Sequence, residues 1–77
     1  MSKIIEARMA KLMAEAQYRY GNDVISIVTF LQHNLRKAIW TANAQFTDAT
    51  RKVYILLGLA IRTEIQNLKP YYAALTA

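Results

Sequence analysis

Cysteine is absent from these 77 residues, so neither a disulfide framework nor a thiolate zinc site holds the fold together. Proline occurs once, at Pro70, and glycine twice, at Gly21 and Gly58. With so few breakers and no lasting alternation of polar and apolar residues, the long uninterrupted stretches read as helices rather than strands.

Acidic groups are scarce as well. Glu6, Glu15, Asp23, Asp48 and Glu64 are the whole set, and no two lie three or four residues apart to share a helix face. His33, the one histidine, has no carboxylate a turn away to orient it, so it is expected to face solvent rather than act as a base or ligand. Ser2 and Ser26 lack a nearby base, and no glycine-rich phosphate loop occurs. Neither catalysis nor a cofactor nor a metal is expected.

Long hydrophobic runs are missing too. The apolar stretches end at Gln32-His33-Asn34 and at Arg62, well short of the roughly 18 to 20 residues that a membrane span needs. Charges from Lys3 to Arg19 interrupt the first twenty residues, which excludes the apolar core of a signal peptide there. The expected location is cytoplasmic or virion-associated.

What the chain does have is an excess of apolar residues, 55% hydrophobic against 19% charged, with a formal charge of +5. Typical domains carry about 45–50% and 25%. Surface scaling gives a folded monomer of this mass roughly 4,800 Å² of accessible surface against about 12,800 Å² unfolded, so only about 60% can be hidden. Residues 24–31 and 53–61 are apolar around a whole helical circumference. So small a domain cannot cover helices on every side, and the surplus should meet another subunit, a partner or a lipid.

The punctuation predicts one all-α domain over 1–77: a three-helix antiparallel bundle with helices over about 3–20, 23–45 and 48–69 and a short C-terminal tail, 70–77, oligomeric in solution. Ser2 caps the first helix, and Gly21 ends it in a left-handed conformation. Asn22 or Asp23 caps the second, Thr47 with Asp48 starts the third, and Pro70 stops it. Gly58, inside the third helix, is either a simple tolerated glycine or a point where another backbone comes close.

At about 100° per residue, helix 1 gathers Ile5, Met9, Leu12, Met13, Ala16 and Tyr20 on one face, with Arg8, Lys11, Tyr18 and Arg19 opposite. Helix 2 forms a seam of Val24, Val28, Leu31, Leu35, Ala38, Ile39, Ala42 and Phe46. Ile25 and Ile27 flank that seam, while Phe30 and Trp40 fall on the far side, Trp40 beside His33, Arg36 and Lys37. Helix 3 has Val53, Leu57, Ile61, Ile65 and Leu68 inward, with Ile55, Leu56 and Leu59 off the stripe. Glu64 projects among the apolar residues, either as a buried charge that needs a partner or at a solvated boundary.

A structural or adaptor subunit is therefore expected, one that self-associates or docks into a larger assembly through Ile25, Phe30, Trp40, Ile55, Leu59, Tyr71 and Tyr72. Small size and the lack of catalytic groups suggest a viral or phage setting. The two apolar bands should lie toward opposite ends of the helix 2–helix 3 hairpin as two contact surfaces. Two alternatives stand beside this. A basic nucleic-acid binder would use Arg8, Lys11, Arg19, Arg36, Lys37 and Arg62, although no groove-reading motif is present. A membrane-surface protein would anchor through Trp40 and the tyrosines.

Overall fold

A computed structural model describes residues 3–76, and the Ser2 cap lies outside them. Three helices pack against one another: α1, Lys3–Tyr20; α2, Val24–Asn43; and α3, Asp48–Thr76. No strand occurs among the described residues. Short connections, 21–23 and 44–47, make consecutive helices antiparallel, so α1 and α3 run the same way.

Local chemistry explains each helix end. The Gln17 carbonyl accepts from the Gly21 amide at 2.9 Å, and Gly21 adopts φ +58°, a conformation that costs an L-residue side-chain strain. Asp23 caps α2: its carboxylate accepts from the Ser26 amide at 3.2 Å and the Ser26 hydroxyl at 2.7 Å. Those bonds, the hydroxyl's first, hold the Asp23 carboxyl below its ordinary pKa of 3.8. At the start of α3 the Thr47 hydroxyl accepts from the Thr50 amide at 3.3 Å. Arg51 ties the connection down by donating to Asp48 at 3.1 Å and to the Gln45 carbonyl at 3.2 Å.

The interior centres on Leu31, Ala38 and Ile61, with Met9, Leu12, Met13, Leu35, Leu57 and Ile65 packed against it. The main contact is α2 on α3, and α1 adds Ile5 and Ala16 as its fully buried residues. Gly58 sits in the main contact, 3.6 Å from Leu35 Cδ1 and 4.0 Å from Ala38 Cβ when given a Cβ. That is ordinary van der Waals distance, so the helices approach closely without requiring a glycine.

Four expectations change. Pro70 does not end α3: the helix continues to Thr76, and the predicted tail is helical through its described residues. Pro70 has no N–H to donate to the Gln66 carbonyl one turn back, and both residues are exposed, where an unpaired acceptor costs little. On α2, Ile39 and Phe46 leave the seam, 53% and 102% exposed, while Phe30 and Ile27 join the packed residues. Phe46 follows the end of α2, so helical projection no longer applies to it. Phe30 turns inward because α1 covers that flank: its ring lies 5.8 Å from the Tyr20 ring and under Arg19 at 5.9 Å. A projection with one seam overlooked that α2 has two neighbours on different sides. Lastly, Glu64 is half-buried rather than enclosed, and no polar or charged residue is buried among the described residues.

The molecule is elongated, 42 × 22 × 20 Å, because α3 at about 1.5 Å per residue spans its whole length. Its accessible surface, 5748 Å², exceeds the scaling value by roughly 950 Å².

Two predictions follow from these contacts. Gly58→Ala should stabilise the fold by about 1 kcal/mol in urea unfolding, since it removes the glycine helix penalty at a site with room for a methyl group, whereas Gly21→Ala should cost about 1 kcal/mol. Asp23 has a depressed folded pKa, so its contribution is present above the unfolded value and lost as pH falls through the folded one. The melting temperature should therefore drop on acidification below about pH 4, and Asp23→Asn should flatten that dependence.

Candidate interaction site

Two surfaces of different character flank α2. The first lies between α2 and α3 on the side away from α1. Asn34, Lys37 and Thr41 share a groove with Arg8 and Leu12 of α1, which marks the α1 side of α2. Ile39 lies about half a turn round from them. From the Leu35–Gly58 contact, Ile39 is one turn onward along α2 and Ile55 one turn back along α3. In an antiparallel pair those steps go the same way, so the two isoleucines are neighbours across the groove. Both are about half exposed, as are Leu59 and, less so, Leu56. Lys52 and Arg62 bracket this patch one turn to either side on α3.

The surplus is thus concentrated differently than the sequence suggested. Ile25 remains exposed at the far end of α2, and Phe30, half-buried against the interior, still lines a surface depression with Ile25 and Tyr20. Tyr71 is exposed at 63%, whereas Tyr72 is half-buried.

The second surface lies across α1 and α2. Arg8, Lys11, Leu12, Glu15, Asn34 and Lys37 line one groove between these helices, and His33, Arg36, Lys37 and Trp40 line an adjoining depression. Trp40 is 74% exposed and Tyr18 92%. Arg8 also stacks on Tyr54 at 5.5 Å, above a cleft of about 350 Å³ that reaches Leu57 and Ile61. The six basic residues named from the sequence therefore do not form one site. Arg8, Lys11, Arg36 and Lys37 converge, while Arg19 pairs with Glu15 at 2.9 Å near Phe30 and Arg62 belongs to the apolar surface.

No family model, curated protein or solved structure matches this chain. Its function is read from these two surfaces. Neither brings carboxylates together, and no group of three or more His, Asp or Glu among the described residues is placed to hold a metal ion. No helix is long and apolar enough to cross a membrane.

The sequence placed Tyr18 on the basic face of α1 with Arg8 and Lys11, and it is exposed there. It carried no signal that Ile39 would be exposed, because that depends on which flank α1 occupies. Phe30→Ala should cost about 2 kcal/mol of stability in chemical unfolding, and Phe46→Ala should leave it within about 0.5 kcal/mol.

Proposed function

We propose that this chain is a non-enzymatic structural subunit that self-associates through the α2–α3 face built on Ile39, Ile55 and Leu59. The observation that carries the reading is the exposure of Ile39, Ile55, Leu59 and Leu56, which helix register puts on adjoining flanks of α2 and α3. Burying a large aliphatic side chain is worth about 1.5–3 kcal/mol, and the molecule presents roughly 950 Å² more surface than its mass calls for. A standard interface takes about 800 Å² from each partner. A second copy meeting this face in a two-fold arrangement would cover Ile55 and Leu59 with the same residues of its partner.

Lys52 and Arg62 flank the patch, so two copies bring like charges toward each other at its rim. Added salt screens that repulsion and strengthens association. Adaptor docking onto a different protein is the same use of the same face.

Sedimentation across micromolar concentrations should show an oligomer that grows with salt, and Leu59→Glu should weaken it at least about tenfold with unchanged helicity. A monodisperse monomer throughout, with no protein captured in pull-down, would remove the proposal.

A further inference from the structure

The α1–α2 surface carries an assignment independent of self-association. Arg8, Lys11, Arg36 and Lys37 have no carboxylate partner among the described residues, where the two ion pairs formed are Arg19–Glu15 and Arg51–Asp48. Glu15 lines the same groove as Arg8, Lys11 and Lys37, and it is engaged by Arg19. Four cations thus stand beside one carboxylate that a fifth already holds, and the surplus positive field attracts a polyanion.

Aromatic rings stand at both ends of this basic strip. Trp40 is four residues from Arg36 and three from Lys37 on α2, and Tyr18 is seven from Lys11 on α1, so each ring shares a helix face with the cations. Arg8 and Lys37 meet in one groove between antiparallel helices. Trp40 lies three residues beyond that level and Tyr18 ten residues beyond it the other way, which separates the rings by about 20 Å along the helices. Aromatic side chains this exposed, 74% for Trp40 and 92% for Tyr18, fill no core.

We infer that the α1–α2 face binds single-stranded nucleic acid, with Trp40 and Tyr18 stacking on bases while Arg8, Lys11, Arg36 and Lys37 contact the phosphates between them. A single strand is favoured over a duplex because an indole needs an unstacked base to lie against, and stacking tolerates any sequence because every base has a π face. The absence of a groove-reading motif fits that choice. A lipid surface is disfavoured because the aliphatic cluster that insertion requires, Ile39, Ile55 and Leu59, is turned about 100° round α2 from Trp40 and about half a turn from the groove with α1.

Trp40 is the chain's one tryptophan, so its emission reports binding directly. A short oligothymidylate at low salt should quench it, and log K should fall with log salt at a slope near −3, about 0.7 for each of four phosphates neutralised. Arg8→Gln with Lys37→Gln should roughly halve that slope, and Arg62→Gln should leave it unchanged. Trp40→Ala, followed by anisotropy of a labelled oligonucleotide, should weaken binding about tenfold or more, with circular dichroism verifying an intact fold. Three results would overturn the inference: no change in emission or anisotropy at low salt; equal affinity for duplex and single strand with no effect of Trp40→Ala; or a Trp40 blue shift on anionic phosphatidylserine vesicles without a response to oligonucleotide. Leu59→Glu should bind the oligonucleotide as well, so failure of self-association and failure of this inference are separable.

Discussion

The contact of α2 with α3 around Leu31, Ala38 and Ile61 is the constraint on which the other features rest. All three residues are almost fully buried, and Leu35 and Ala38 pack over Gly58 with room left for a methyl group there. Once the connection at 44–47 sets an antiparallel register, with Arg51 bonded to Asp48 and the Gln45 carbonyl, every other residue of the hairpin has its direction assigned. Helix α1 then has one groove to occupy. It fills that groove with Ile5 and Ala16 and with the half-buried Met9, Leu12 and Met13.

A bundle of three helices has an interior about one side chain thick, so each helix is covered on two flanks and open on the rest. For α2 the covered flanks face α3 and α1, and the arc between them takes in Ile27 and Phe30. The arc beyond α3 is open, and there Ile39 meets Ile55. Apolar surface is costly in water, so a chain that keeps these residues outside has reason to bring them against another molecule. The rims of Lys52 and Arg62 oppose indiscriminate self-contact by like-charge repulsion.

The basic face has the opposite physics. Attraction between its cations and a polyanion weakens with salt, while the apolar contact strengthens as its rim charges are screened. The two faces adjoin on α2, where Arg36 lies one turn from Ile39, while the Arg8–Lys37 groove lies about half a turn away from Ile39. An assembled layer of such subunits would repeat the basic strip and multiply weak phosphate contacts.

Helix number, their order and most of the interior were legible in the sequence, because they follow from local rules. Gly21 tolerates a left-handed φ, Asp23 and Thr47 offer side-chain acceptors to free amides, and the 3.6-residue period aligns Ile5 with Met9 and Leu12, and Val53 with Leu57 and Ile61. The sequence by itself also determined that apolar surface would remain uncovered, since 55% hydrophobic content exceeds what so small an interior accepts. What the tertiary structure alone decided was which apolar residues stay outside. A projection of α2 alone puts Ile39 in the seam and Phe30 on its far side. The position of α1 reversed that order, packing Phe30 against Tyr20 and leaving Ile39 exposed on the other flank. Pro70 likewise looked like a helix stop, but it and Gln66 are exposed, and burial rather than residue type determines the cost of an unpaired carbonyl.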